Sequence, residues 1–356
     1  SPDGRLAFAA VERAGRTVRS ELYIVAPDQA PKVAGAHPEH HVIYMHWAPD
    51  ACIACPDLVY LIEGENALDL RRVDMTPGAL TPENRLLDEG RPFYFSWSPD
   101  GREMLWHRGG ARRLNAEAQL SLHDLAARRT QTLAPAPGSF LAPAWSPDGS
   151  AWLTVTEREA GNGLLLVTPE EQTVIATGPA DIAFAWSPDG ARIAYARRDA
   201  PTAPAYGAIH VHDVATGQTT RITAPGFHPR AFFWSPTGDR LAYINWLAIP
   251  AAHWSQWRVY DFENAAERGY PAFNPTQHLR MIIGSFNQYA QSHRFWSADG
   301  RYLLYTDRDK ALTERIWVVD TLAEEREEPI FVAQGSLGVW SWDCLLYTSP
   351  SPRDHG

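Results

Sequence analysis

The pentapeptide Trp-Ser-Pro-Asp-Gly recurs along the chain, and this recurrence restricts the fold more than any other feature. Its complete and degenerate copies share the tryptophan and begin at Trp47, Trp97, Trp145, Trp186, Trp234, Trp296 and Trp340. Neighbouring copies start between 41 and 62 residues apart, and residues 1–4 read Ser-Pro-Asp-Gly as well. A period of roughly 40–50 residues in strand-like sequence is typical of a β-propeller, in which each repeat forms one blade.

Ser-Pro-Asp-Gly matches the position-by-position preferences of a type I turn. The serine can accept a backbone N–H, the proline presets φ, and the glycine takes the left-handed conformation that closes the turn. Apolar residues then alternate, as in Ile193 and Tyr195 or Leu241 and Tyr243. This alternation predicts a half-buried strand directly after each turn.

A third and a fourth strand follow within the repeat. Ile209–Asp213 exemplifies the third strand, and the turn at residues 215–218 leads into a fourth strand over residues 219–223. Seven such units predict an all-β fold, a seven-bladed β-propeller of four-stranded antiparallel blades over residues 1–343. The first unit begins at its turn, and residues 337–340, ending at Trp340, match the strand that it lacks. We therefore predict that this C-terminal strand completes the first blade and closes the propeller.

The repeated turn followed by an Ile/Leu-x-Tyr/Phe strand resembles the WD40-like repeats (PD40) of the TolB family. The resemblance covers essentially residues 1–343. It implies a non-enzymatic binding protein of the periplasm or another extracytoplasmic compartment. TolB itself is expected to have six blades, whereas seven repeats are counted here. The same repeat type also builds the propellers of prolyl oligopeptidase-like and dipeptidyl peptidase IV-like enzymes, so the resemblance leaves the function open.

Composition narrows the choice of partners. The formal net charge is −10, from 42 acidic and 32 basic residues, which argues against a nucleic-acid binder with a basic stripe. No apolar run approaches the roughly 18 residues of a transmembrane helix. Lys32 and Lys310 are the only lysines, and together with the many Ala, Arg and Pro residues this composition indicates a GC-rich bacterial genome. The oligomeric state is not readable from the sequence.

Residues 344–356 leave the repeat register just after Trp340. This segment, Cys344 to Gly356, resembles the translation of a sequencing adaptor. We therefore predict a propeller domain over residues 1–343 and a non-native tail over residues 344–356.

The sequence contains no pattern that indicates catalysis. Gly-x-Ser-x-Gly, the P-loop and Gly-x-Gly-x-x-Gly are all missing, so we predict no catalytic residue and no cofactor. One histidine group could converge on a metal ion, and its members are His37, His40, His41 and His46. Pro38 and Glu39 instead favour an exposed loop, and we predict no metal site. Cys52 and Cys55 lie on a predicted strand, where packing is the simpler role.

The longest repeat interval, between Trp234 and Trp296, is the predicted binding region. Its additional residues are expected in loops at one face of the propeller, where aromatic side chains can anchor a ligand. The candidate binding residues are Trp246, His253, Trp254, Trp257 and Tyr289. The alternative is that these aromatics cover a widened gap between blades. Residues 74–92 are predicted to be a second, solvated loop.

Three interpretations of function remain open at this point. The first is a TolB-like, non-enzymatic bacterial propeller that binds a protein, peptide or small-molecule ligand. The alternative is the substrate-gating propeller of a prolyl oligopeptidase-like or dipeptidyl peptidase-like serine peptidase whose catalytic domain is missing from this fragment. A third is a carbohydrate- or lyase-type propeller that uses channel histidines.

Overall fold

A computed structural model describes most of the chain as strands that follow the repeat. The described residues are 4–14, 17–26, 29–38, 40–49, 57–64, 66–74, 83–110, 118–138, 141–159, 161–247, 254–289, 293–323, 328–341 and 346–349. They divide into two compact units: one comprises residues 1–157 and 165–173, and the other residues 158–164 and 174–356.

The repeated turn adopts the predicted geometry in its five best copies. Each turn glycine donates its N–H to the serine carbonyl three residues earlier over 2.8–3.0 Å, at a φ of +68° to +74°. In the copy at Ser187, the serine Oγ accepts the Arg192 N–H at 2.9 Å and donates to Asp189 Oδ1 at 2.5 Å. The four residues thus satisfy their own polar groups and turn the chain back into an antiparallel strand.

The first three sheets lie in the first unit. Their strands are β1 (Leu6–Ala14), β2 (Thr17–Val25), β3 (Lys32–Pro38), β4 (Val42–Trp47), β5 (Leu58–Glu63), β6 (Leu68–Asp74), β7 (Glu83–Gly90), β8 (Phe93–Trp97), β9 (Glu103–Arg108), β10 (Gln119–Asp124) and β11 (Arg129–Leu133). The orders are β1-β2-β3, β4-β5-β6-β7 and β8-β9-β10-β11, with antiparallel pairing wherever the registers are defined.

A fourth sheet has the order β12-β13-β14-β15. Its strands are β12 (Ala144–Trp145), β13 (Trp152–Arg158), β14 (Gly161–Val167) and β15 (Gln172–Gly178). The sheets of the second unit consist of β16 (Ile182–Trp186), β17 (Arg192–Arg197), β18 (Ile209–Asp213), β19 (Thr219–Arg221), β20 (Pro229–Trp234), β21 (Arg240–Trp246), β22 (Ser255–Asp261), β23 (Ala266–Phe273), β24 (Tyr302–Arg308), β25 (Glu314–Asp320), β26 (Ile330–Gln334), β27 (Leu337–Trp340) and β28 (Leu346–Ser349).

These sheets follow one another as blades in chain order. Blade five is β16-β17-β18-β19, blade six is β20-β21-β22-β23, and blade seven is β24-β25-β26, preceded by a single bridge between Trp296 and Leu303. The fold is thus the predicted seven-bladed β-propeller of antiparallel sheets.

The strands after the repeat turns are more deeply buried than their alternation predicts. In β17, Ala194 and Ala196 are as inaccessible as Ile193 and Tyr195, and β21 is buried at nearly every position. Both sheet faces are covered, so small residues between the large ones pack rather than face solvent. The opposite deviation occurs in β1, where Leu6 and Phe8 are 41% and 37% exposed.

The repeated tryptophan links successive blades in the second unit. The indole Nε1 of Trp234 in blade six donates to the carbonyl of Ala185 in blade five at 3.2 Å. The indole of Trp296 donates in the same way to the carbonyl of Phe233 in blade six at 3.1 Å. A buried indole N–H needs an acceptor, and here the preceding blade supplies it.

Two predictions about secondary structure are wrong. Among the described residues, strand β27, the strand near Trp340, pairs with β28, and the first sheet contains only β1, β2 and β3, so β27 does not complete the first blade. Strand β28 takes one edge of β27, and the Trp340 N–H donates to the carbonyl of Arg294 at 3.0 Å. In the second predicted loop, residues 83–90 form β7, an outermost strand that is polar because one side faces solvent.

The longest interval contains two short helices that the sequence reading missed. They are α1 (Gln277–Gly284) and α2 (Phe286–Tyr289). Thr276 caps α1, since its Oγ accepts the Leu279 N–H at 3.3 Å. Leu279 and Ile283 are the buried side chains of α1. Phe286 of α2 packs on Phe232 of β20, with ring centroids 4.5 Å apart.

Candidate functional site

The two ends of blades five and six carry different kinds of connection. In an antiparallel blade, the repeat turn and the third-to-fourth-strand turn lie at one end, here named the turn end. The second-to-third-strand loop and the crossover to the next blade lie at the other, named the loop end. Among the described residues, the loop end carries 198–208 and 222–228 of blade five, and 247, 254, 274–289 and 293 of blade six. These segments are longer than the turns opposite them.

Two of the predicted binding residues lie together at the loop end. Trp246 ends β21, and the guanidinium carbon of Arg230 is 3.8 Å from the centroid of its ring system. Trp254 directly precedes β22, and its carbonyl accepts the Leu247 N–H at 3.0 Å. Both tryptophans are half-buried.

The other predicted binding residues are placed differently. Trp257 belongs to the core, since it lies inside β22, is 0% exposed and contacts Phe233 and Phe295 at centroid distances of 5.9 and 6.0 Å. Its predicted position on a loop is therefore wrong. His253 lies outside the described residues. Tyr289 ends α2, and its side chain is likewise outside the described part of the structure.

Several other aromatics of the long interval fill the interior, as the packing alternative predicts. Tyr270, Phe273 and Phe286 are all nearly inaccessible. Among the described residues of the insertion, the exposed large apolar side chain is instead that of Met281 on α1, at 61% exposure. Methionine adapts its shape to a partner, and the two half-buried tryptophans are the common anchor type at interfaces.

The sequence reading also missed a cleft at the loop end of blade five. Its volume is about 350 Å³, and its lining residues are Arg197, Asp199, Gly207, Ala208, His210, Arg221, Gly226, Phe227 and His228. They come from the end of β17, the loop that follows it, β18, the end of β19 and the crossover to blade six. No motif in the sequence marks these segments as neighbours.

Three cationic or titratable side chains of the cleft share one face of the sheet. His210 pairs in register with Tyr195 on one side and with Arg221 on the other. Arg197 lies two residues beyond Tyr195 and so projects from the same face. The sheet therefore presents an imidazole between two guanidinium groups, one from each flanking strand.

Both cleft arginines are held by backbone carbonyls. Arg197 Nη1 donates to the carbonyl of Thr177 at 2.9 Å, and Arg221 Nε donates to the carbonyl of Thr223 at 2.9 Å. Within the described ranges, neither guanidinium forms an ion pair with a carboxylate. Asp199 is the one carboxylate among the residues that line the cleft, and it is exposed.

His210 is oriented by its neighbours. Its ring stacks on Tyr195 with a centroid distance of 5.3 Å and an interplanar angle of 14°, and Nδ1 lies 3.2 Å from the carbonyl of Ala208. Burial lowers the pKa of His210, and the positive charges of Arg197 and Arg221 lower it further. The lowered pKa favours the neutral imidazole, and a negative charge bound beside it would favour protonation.

Apart from His228, the remaining residues that line the cleft are apolar or lack a side chain. Arg258 lies over Phe227, 4.2 Å from its ring centroid, and pairs through two hydrogen bonds with Glu267 at 2.9 and 3.0 Å. A Cβ built on Gly207 would lie 3.3 Å from the Arg197 carbonyl oxygen and 3.4 Å from Asp199 Oδ1. A larger residue at position 207 would therefore crowd this side of the cleft.

The predicted exposed histidine loop is partly a strand. His37 lies in β3, is buried, and is 2.9 Å from the hydroxyl of Tyr60, while burial lowers the pKa of its imidazole. In the chain as described, no group of three histidine, cysteine, aspartate or glutamate side chains has the geometry of a metal site. Cys52 and Cys55 lie outside the described residues.

The described helices are too short and too polar to cross a lipid bilayer. None of them approaches the roughly 20 residues that a transmembrane helix needs.

Comparisons with solved structures give matches along most of the chain. A prolyl endopeptidase matches with a TM-score of 0.61 at 14% identity, over 93% of this chain and 48% of that protein. An oligogalacturonate lyase from Vibrio parahaemolyticus matches with a TM-score of 0.55 at 14% identity, over 96% of this chain and 87% of the lyase.

The β-propeller domain of the Trilobed protease from Pyrococcus furiosus matches with a TM-score of 0.55 at 9% identity, over 92% of this chain and 94% of that domain. These identities establish a shared fold and nothing about activity. No curated protein matches the chain. The family model of the TolB β-propeller domain (PD40) matches residues 90–248. The repeats within residues 90–248 therefore match PD40 repeats of the TolB type.

Proposed function

We propose that the chain is a non-enzymatic, TolB-like binding platform that acts outside the bacterial cytoplasm through the loop end of blades five and six. The contrast between the two blade ends carries this proposal. At the turn end, short repeated turns use their polar groups internally. At the loop end, longer segments present half-buried aromatics, an exposed methionine and a cationic cleft.

The loop-end residues have the composition of a contact surface. Trp246 and Trp254 are half-buried and lie close together, since Trp246 pairs in register with Ser255 and the Leu247 N–H donates to the Trp254 carbonyl. Rigid aromatic anchors lose little conformational entropy on binding and dominate interface energetics. Met281 adds an adaptable apolar contact on α1.

Site-specific photocrosslinking tests this proposal. A benzophenone amino acid replaces Trp254 or Met281 at the loop end, and Glu263 at the turn end of blade six serves as the control because it is also exposed. The protein is irradiated in an extract of the cells from which the gene comes. We expect the Trp254 and Met281 variants to crosslink the same partner and the Glu263 variant to give no such product.

Competition establishes that the crosslink is specific. Excess unlabelled wild-type protein should abolish it, and the purified partner should bind Trp254→Ala at least about tenfold more weakly than wild type. Equal crosslinking from position 263, or none from positions 254 and 281, would contradict the assignment of the binding face.

The alternative function is the substrate-gating propeller of a serine peptidase. Its support is the match to the prolyl endopeptidase, of which this chain covers 48%. Sequencing the native gene upstream of residue 1 and beyond residue 343 separates the two functions. An in-frame catalytic domain with Gly-x-Ser-x-Gly favours the gating function, whereas a stop codon near residue 343 and an upstream signal peptide favour the platform and its extracytoplasmic location.

A further inference from the structure

We infer that the cleft of blade five binds a small anionic ligand, whose carboxylate or phosphate group lies between Arg197 and Arg221. The inference deepens the proposed function, because it gives the loop end a ligand class.

Charge is the first step of the argument. The chain as a whole carries a net charge of −10, yet this cleft is lined by two guanidinium groups and one exposed carboxylate, Asp199. In the portion described, neither Arg197 nor Arg221 forms an ion pair. An acidic protein that concentrates unneutralised arginine in one concavity is complementary to an anion there.

The donors are already in position. Arg197 and Arg221 each use one N–H for a backbone carbonyl, that of Thr177 or Thr223, and a guanidinium has five N–H donors in a planar fork. These anchors restrict the side chains before any ligand arrives. A ligand therefore loses less binding energy to ordering the site, and the planar fork suits two-oxygen groups.

The size and walls of the cleft specify a small ligand. A volume of about 350 Å³ is near the lower end of small-molecule pockets and too confined for a folded partner. Phe227 gives one apolar wall and is fixed from behind by Arg258. Gly226 has a φ of +87° and no atom within 4 Å of a built Cβ, so the ligand can approach the backbone closely there.

The imidazole between the arginines can become a third donor when it is protonated. His210 lies beside Arg221 in the register, and its Nδ1 faces the Ala208 carbonyl, which only accepts hydrogen bonds. Nε2 of the neutral ring is therefore an acceptor, and it donates to a bound anion only once the ring has taken up a proton. His228 lines the cleft from the crossover segment and faces the same space.

Isothermal titration calorimetry at low ionic strength tests the inference with three probes. Succinate and inorganic phosphate represent the two anionic head groups, and succinamide is the neutral counterpart of succinate. The variants are Arg197→Gln with Arg221→Gln and, as a matched control, Arg192→Gln. Arg192 starts the same strand as Arg197 but lies at the turn end, where its guanidinium stacks over Phe262 at 4.7 Å.

We expect one saturable site with a Kd of about 1 mM or tighter for at least one anion and no binding of succinamide. The double variant should bind at least about tenfold more weakly, and Arg192→Gln within about twofold of wild type. The anion that binds more tightly identifies the head group. Should the double variant unfold, the single Arg221→Gln, at an exposed position, should weaken binding at least about threefold.

Two results would overturn the inference. One is the lack of saturable binding of both anions up to about 10 mM, and the other is unchanged affinity in the folded arginine variants, which would place the anion elsewhere. The crosslinking positions, Trp254 and Met281, lie outside the cleft. Their crosslinks can therefore persist when the cleft binds no anion, which separates failure of this inference from failure of the binding platform.

Discussion

The turn end and the loop end of blades five and six are built on the same strands but differ in how their polar groups are hydrogen-bonded. At the turn end, Ser187 accepts one hydrogen bond and donates another, and Asp189 accepts both the serine hydroxyl and a backbone N–H. At the loop end, Arg197 and Arg221 keep donors that no carboxylate neutralises among the described residues. At the turn end these polar groups bond to one another, whereas at the loop end the arginine donors are available to a partner.

This difference separates the part of the sequence that reports the fold from the part that reports function. The repeated pentapeptide recurs because its polar groups must be satisfied in every blade, so its recurrence reports the fold. The segments at the other end differ in length and chemistry from blade to blade. Function is therefore to be sought where the repeats diverge, since a scaffold of this kind tolerates change in its loops.

The largest expected effect is the difference in stability loss between two tryptophan variants, one inside β22 and one just before it. Trp257→Ala should lower the free energy of unfolding by about 3–5 kcal/mol, because its indole is completely buried. Trp254→Ala, three residues earlier and half-buried, should cost about 1 kcal/mol or less. Urea denaturation of both variants measures the difference. Equal losses would show that Trp254 is core, and the distinction between the two ends would fail at this hairpin.

A smaller loss of stability tests whether the hydrogen bonds within the repeated turn stabilise the protein. Ser187→Ala removes the acceptor of the Arg192 N–H and should destabilise the protein by about 1–3 kcal/mol. Thr202→Ala, in the exposed loop after β17, should stay within about 0.5 kcal/mol of wild type. Chemical denaturation of the two variants is the measurement. If the threonine variant lost as much stability as the serine variant, the loop end would be as structurally constrained as the turns.

The smallest effect is a pH dependence of the turn end. Hydrogen bonds from Ser146 and Ser150 lower the pKa of Asp148 below its usual 3.8. Its carboxylate therefore adds stability that is fully present above pH 3.8 and is lost as the pH falls through the lower folded-state pKa. Asp148→Asn should be less stable than wild type at pH 6, and the difference should shrink below pH 3.8. Urea midpoints measured from pH 6 to pH 3 give this difference.

Asp299→Asn repeats that test in blade seven, where a hydrogen bond from Ser297 is the largest cause of the lowered pKa of Asp299. Both variants should show the same sign. A difference from wild type that stays constant with pH would mean that the carboxylate charge contributes nothing to these turns.

The sequence predicted the parts of the fold that depend on local chemistry. The turn geometry at Ser187 to Gly190 follows from residue preferences within four positions, and the strands follow from the alternation after them. Burial of Ala194 and Ala196 was not predictable in this way, because it depends on the neighbouring sheets. Helix α1 was missed because its eight residues span too few turns to show a clear helical period.

The candidate site was less predictable for the same reason. His210 lies in the predicted third strand, but its neighbours Arg197 and Arg221 are 13 and 11 residues away in the sequence and meet it only through the strand register. Trp246 and Trp254 stood out as aromatics near the longest insertion, whereas Trp257, two residues into the following strand, is buried. Composition alone cannot distinguish the two environments.

The indole hydrogen bonds have a consequence for how the chain acquires its structure during synthesis. Trp234 and Trp296 each donate to a carbonyl that precedes them in the sequence, at Ala185 and Phe233. Each acceptor has therefore left the ribosome before its donor is made, and domains commonly begin to fold N-terminal part first. Blades six and seven can each dock on the blade already formed, so this part of the second unit can assemble in the direction of translation.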